Sequence, residues 1–255
     1  MNTKSIAAIA AASIMASPAA MAVEITVNIT NLTQGMAFTP RLLVAHTGNL
    51  DLFEPGSPAS AGLTAIAEGG DTSVLAAALD LDPTNQRNQT FGGLVGPAST
   101  SADYTFETDD HPFLSLATML IPTNDAFAGL DSWTIPTTPG TYTVTLNAYD
   151  SGTEANDEIN PATSTLTGPG GSALGGTGAP GMAGAGNPLS GITTSGGTGV
   201  AIQATANELP DTGEGFVHIH RNVLGDTNAT GGASDLDATV HRWLNPVARM
   251  TITIN

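Results

Sequence analysis

The 255-residue chain contains no cysteine, and its single lysine, Lys4, joins five arginines against 23 acidic residues. Without cysteine there are no disulfides, thiolate metal ligands or thiol nucleophiles, so stability must come from packing, helped by any ion the chain binds. A formal net charge of −17 at pH 7 repels phosphate backbones and anionic lipid surfaces, which argues against nucleic acid as a partner. Enzyme signatures are also missing. There is no G-x-S-x-G, no H-E-x-x-H and no phosphate-cradling loop set between a strand and a helix, so the expected class is not an enzyme.

Long apolar runs are scarce too. The amino-terminal 22 residues carry one charge, Lys4, then IAAIAAASIMASPAA, and end in the small-x-small triplet Ala20-Met21-Ala22. That is the pattern of a bacterial secretory signal peptide, expected to be removed. The run is short, rich in Ala and Ser and broken by Pro18, whereas a spanning helix needs about 20 strongly apolar residues. No later segment is apolar enough to span, and the expected location is secreted or periplasmic. The acidic surface then suits solubility in a salty extracellular setting, and some carboxylates are candidates for cation ligands.

From Val23 the sequence alternates, with Ile25, Val27 and Ile29 on one face, the mark of a half-buried strand. FTPRLLVAH (38–46) reads as a second strand whose Pro40 suggests an edge or entry position. Two short helices are expected: one through Leu63, Ile66 and Ala67 ending at Gly69, and one from Asp71 through VLAAALDL, together closing one end of the domain. SADYTFET (101–108) alternates again and carries Glu107 near its end. HPFLSLATMLIP is almost continuously apolar, as in a strand covered on both faces, and TYTVTLNAYD alternates with Tyr142, Val144, Leu146 and Ala148 inward. Thirteen of the 30 glycines fall between residues 168 and 200, a tract with too few large side chains to bury, read as a flexible insertion. GFVHIHRNV (215–223) and ARMTITIN (248–255) supply later strands. The expected fold is mainly β: one antiparallel β-sandwich over residues 23–255, with two short helices and a long Gly-rich loop.

The chain is organised around Phe113 to Asp150, which reads as two buried strands each ending on an aspartate, Asp125 in PTNDAF and Asp150 in AYDSGTE. Each alone is equally an Asx-turn or cap. If the strand ends converge, and if Glu107 joins from the strand before, three carboxylates would suit calcium, which takes six to eight oxygen ligands. A second constellation is His218 and His220, two apart on an expected strand and so on one face, with His241 after the following loop. These three could hold zinc or copper, or simply make ordinary hydrogen bonds on a half-exposed face.

SLATMLIPTNDAFAGLDSW followed by YDSGTE resembles the spondin domain family, which includes stand-alone secreted bacterial proteins. The residues carrying the pattern are Pro122, Asp125, Phe127, Gly129, Asp131 and Ser132, then Asp150, Gly152, Thr153 and Glu154. The opening ITVNITNLTQGMAFTP and closing NPVARMTITI also fit. The resemblance implies a β-sandwich holding calcium through Glu107, Asp125 and Asp150, with a backbone carbonyl near Ala126 or Phe127, acting in adhesion or protein interaction at a cell surface or matrix. The alternative is a metalloprotein or metalloenzyme built on His218, His220 and His241.

Overall fold

A computed structural model describes residues 23–121, 123–154, 213–222 and 241–255. The signal segment and the Gly-rich tract lie outside the described residues. Ten strands and two helices are formed among them: β1 (Glu24–Asn31), β2 (Ala37–Phe38), β3 (Arg41–His46), α1 (Ala61–Gly69), α2 (Ser73–Leu79), β4 (Gln86–Phe91), β5 (Tyr104–Glu107), β6 (Phe113–Ile121), β7 (Ala126–Thr134), β8 (Gly140–Asp150), β9 (His218–Ile219) and β10 (Ala248–Ile254). All pairings are antiparallel, in the order β4-β3-β6-β7-β8-β10-β1-β5, with β2 on β6 and β9 on β8.

This single sheet folds over on itself, so its two layers form a sandwich made of one continuous ladder. Its end strands, β4 and β5, meet through Phe91 and Tyr104, whose rings stack at 4.5 Å. The guanidinium of Arg41 lies over Phe91 at 4.9 Å. The alternation of β1 does what it predicts, placing Ile25, Val27 and Ile29 in the main core with Leu146, Ala148, Met250 and Ile252.

The strands without alternation are covered twice. In β3, Leu43 and Ala45 face the main core while Leu42 and Val44 face a second one beneath the helices, with Leu63, Ile66, Leu75 and Leu79. The helices therefore roof a sheet face rather than close an end. β3 is an interior strand between β4 and β6, and Pro40 sits in the break between β2 and β3, where no ladder hydrogen bond is asked of it. Helix α1 ends at Gly69 as expected, and the cap is Gly70, which takes the left-handed conformation at φ 64° and closes its N–H onto the Ile66 carbonyl.

The Phe113 to Asp150 stretch holds three strands instead of two. β7 lies between β6 and β8, and its register with β6 slips between Leu114 and Leu116. Asp131 and Ser132 serve this irregularity. Ser132 has φ 51°, its N–H donates to Ser115 Oγ, and Asp131 Oδ1 accepts from Leu52 N–H at 3.0 Å and from Ser115 Oγ at 3.2 Å. The Gly-x-Asp-Ser piece of the pattern is thus a bulge device, and Asp131 belongs to structure. At the start of β7, Phe127 is fully buried against Phe53 and Tyr149, with ring centroids 5.0 and 5.5 Å away. Burial of such a ring stabilises by about 2–3 kcal/mol, and here it pins the residue two positions from Asp125.

Candidate metal centre

Asp125 precedes β7 and Asp150 ends β8. The two converge because the β7–β8 register sets Ala126 opposite Asp150. Both side chains are completely buried. Asp125 Oδ2 is saturated: it accepts from Ser151 Oγ at 3.1 Å, Thr153 N–H at 3.1 Å and Glu154 N–H at 3.2 Å. Asp125 Oδ1 is equally buried and accepts no hydrogen bond. Asp150 Oδ1 accepts from Gly152 N–H at 2.7 Å, the Asx-turn geometry expected for an isolated aspartate. The D-S-G-T-E turn is therefore both a cap and the wall of a carboxylate pair.

A third chain segment is bolted to that turn. Gly152 has φ 71°, and a Cβ there would meet the Phe216 carbonyl oxygen at 2.3 Å. Gly215 N–H donates to Gly152 O at 2.8 Å, and β9 pairs Asp150 with His218 and Tyr149 with Ile219. This close approach, which only glycine permits, delivers Glu214, His218 and His220 to the aspartates.

Two triads of possible ligand atoms result, each within 4.8 Å: Asp125, Asp150 and His220, all buried, and Asp150, Glu214 and His218, with the latter two half-buried. Asp150 belongs to both. Its Oδ2 lies 3.8 Å from His220 Nε2 and 4.0 Å from His218 Nε2, while Glu214 Oε2 is 3.7 Å from His218 Nε2.

The electrostatics follow from burial. The Asp125 carboxyl is held well above the usual carboxylate range, first by desolvation and then by the charge of Asp150, against the hydrogen bonds from Glu154, Ser151 and Thr153. Burial pushes His220 down to about 4, with Asp150 opposing and His218 adding to the shift. His220 is therefore neutral at pH 7, and its Nδ1 accepts from Asn222 N–H at 2.8 Å, which leaves the proton on Nε2, facing Asp150. His218 has the opposite tautomer in its neutral form. Its Nδ1 donates to Ile219 O at 2.9 Å, so its lone pair is on the buried Nε2, which makes no hydrogen bond.

Glu107 is not part of this corner. It pairs with Glu24 on β1, at the level where Ile25 meets Ile254 and Ile254 meets Gly140. That is the far end of β8 from Asp150, a separation of roughly 30 Å along the strand at the usual rise per residue, and Glu107 is exposed. A short alternating motif places a residue on a strand but not at a particular end of the sheet. His241 is fully buried but joins neither triad. No motif marks Glu214 in the sequence; the signal it does carry is its parity with His218 and His220, since an extended segment would put all three on one side.

The family model described as Spondin_N matches residues 30–166, more than half of the chain and the part that contains both aspartates. The chain belongs to the spondin N-terminal domain family. No curated protein matches the chain significantly. The matched region of this spondin-family protein ends before Glu214, His218 and His220, so the triads combine two aspartates from the family pattern with candidate ligands from outside it.

For calcium, the ion implied by the family resemblance, the relevant test is the donor set. Asp125 and Asp150 supply buried carboxylate oxygens of the kind calcium takes, and His220, whose Nε2 carries the proton, lies beside them without competing as a ligand. The inner triad thus fits an oxygen-bound cation through its two aspartates, without Glu107.

Proposed function

We propose that this protein is a calcium-binding spondin-family module that works outside the cytoplasm in adhesion or protein interaction, with the ion held between Asp125 and Asp150. The observation carrying the reading is Asp125 Oδ1: a completely buried oxygen that accepts no hydrogen bond and stands beside a second buried carboxylate. Leaving such a group without a partner costs about 1–3 kcal/mol or more, and a divalent cation would turn that cost into a bond. The ion would also neutralise the repulsion that raises the Asp125 carboxyl.

The cation's role in this reading is to fasten residues 151–154 and 213–222 to the end of the sandwich. Phe216 and Ile219, both exposed, ride on the fastened segment and flank His218. An ordered apolar pair beside a charged corner is suited to recognition of a protein partner at a cell surface or in a matrix. No helix among the described residues is long and apolar enough to cross a membrane. Catalysis has no part in this reading.

Calorimetric titration of chelator-treated protein with calcium tests the proposal. The expected result is saturable binding of one ion that is lost in Asp125→Asn, a change that keeps the side-chain shape and removes the charge. Absence of saturable binding, or equal binding by Asp125→Asn, would contradict it.

A further inference from the structure

We infer that the outer triad, Asp150, Glu214 and His218, is a second cation position that takes a first-row divalent transition metal, of which zinc is the type, next to the calcium position at Asp125 and Asp150. The inference rests on the reading of that inner corner as a cation site, because Asp150 serves both.

Three features distinguish the outer position. First, its donors are mixed. One imidazole nitrogen and two carboxylates lie within 4.8 Å of one another, a set that borderline metals accept, whereas calcium and magnesium prefer oxygen alone. Second, the nitrogen is in the ligand form. His218 Nδ1 donates to the Ile219 carbonyl, the outer hydrogen bond that usually orients a metal-bound histidine. Its Nε2, which then carries the lone pair, lies 4.0 Å from Asp150 Oδ2 and 3.7 Å from Glu214 Oε2. These spacings are too long for hydrogen bonds and suit atoms that share an ion, since ligand bonds of about 2.0–2.2 Å put neighbouring donors some 3–4 Å apart. His220 contrasts with it, because its Nδ1 is occupied by Asn222 N–H and its Nε2 carries the proton.

Third, the supports are rigid. Asp150 ends an eleven-residue strand, and its other oxygen is tied to Gly152 N–H. His218 is paired across from Asp150 in β9, and its ring is held edge-on by Phe216 at 5.5 Å. Glu214 Oε1 lies 3.8 Å from Nη1 of Arg221, a weak ion pair with an exposed side chain. Three protein ligands leave a coordination position for water or for a donor group of a partner.

The test is calorimetric titration of the full chain with zinc alone, in calcium-saturated and in chelator-treated protein, with cobalt(II) as an absorption probe. One equivalent of zinc is expected to bind in the presence of saturating calcium, and cobalt(II) should show the visible bands of a site with nitrogen and oxygen ligands. His218→Ala should weaken zinc by about tenfold or more and leave the calcium isotherm unchanged. Glu214→Gln should weaken zinc in the same sense, and an unaltered urea midpoint in each metal-free variant shows that the fold is retained. If calcium binds but zinc does not, or if zinc merely displaces calcium and is indifferent to His218→Ala, the second position is refuted and the calcium reading stands. If neither ion binds, both fail.

Discussion

The sheet has a pair of acidic residues at the level of each end of strand β8, and the two pairs differ in nearly every physical respect. At the Gly140 end, Glu24 and Glu107 face each other across β1 and β5 in water, where like charges cost little. At the Asp150 end, Asp125 and Asp150 are fully buried, one of their oxygens has no hydrogen-bond partner, and two imidazoles and a third carboxylate adjoin them. Charge proximity is thus common to both ends, and burial with an unmet oxygen is what makes the Asp150 end the candidate cation site and the other a tolerated surface pair.

The largest expected effect comes from detaching the segment that makes the second end different. Gly152→Ala forces a side chain into a left-handed conformation and into the Phe216 backbone. It should destabilise the protein by about 2–3 kcal/mol in urea unfolding and weaken cation binding, while Glu107→Ala leaves both unchanged.

Next is the charge itself. In the metal-free protein Asp125→Asn should be neutral or stabilising, because it removes repulsion from Asp150. It should abolish the stabilisation of about 2.7 kcal/mol that the parent gains at a cation concentration a hundredfold above Kd.

The dependence on pH sharpens the contrast further. The folded Asp125 titrates above its unfolded value of 3.8, so across that window the native state holds more protons and metal-free stability falls as pH rises. The folded His220 titrates at about 4 against 6.5 unfolded. Between those values the unfolded state holds more protons, and stability rises with pH. The two slopes oppose each other in the parent. Asp125→Asn should expose the rising His220 limb between pH 4 and 6.5, seen as a urea midpoint that climbs with pH. The smallest effect belongs to the other end: Glu107→Gln should move stability by less than about 0.5 kcal/mol and leave cation binding intact.

Much of this was legible in the chain. The alternation of Ile25, Val27 and Ile29 and of Tyr142 through Ala148 announced strands with one wet face, and the unbroken apolar run of β6 announced one covered twice. Asp125 and Asp150 could be nominated because each follows such a run beside turn formers. β4 escaped notice because QRNQTF is polar, as an edge strand paired only with β3 can be. β7 escaped because AFAGLDSWT shows neither period, being buried at its start and bulged near its end. The sequence places Glu107 on a strand but not at an end of the sheet, because which end a strand presents depends on long-range register. The meeting of Glu214 and His218 with Asp150 depends on a glycine contact across more than sixty residues of sequence, and no local pattern encodes it.

The most direct measurement is the thermal midpoint of chelator-treated parent and Asp125→Asn protein, each with and without calcium. The account predicts a rise of about 5–10 °C for the parent at saturating calcium. Asp125→Asn should have a midpoint at or above that of the metal-free parent and should not respond to the ion. A parent midpoint that calcium does not move, or a variant that responds as the parent does, would contradict the assignment of the Asp125–Asp150 corner as a cation site.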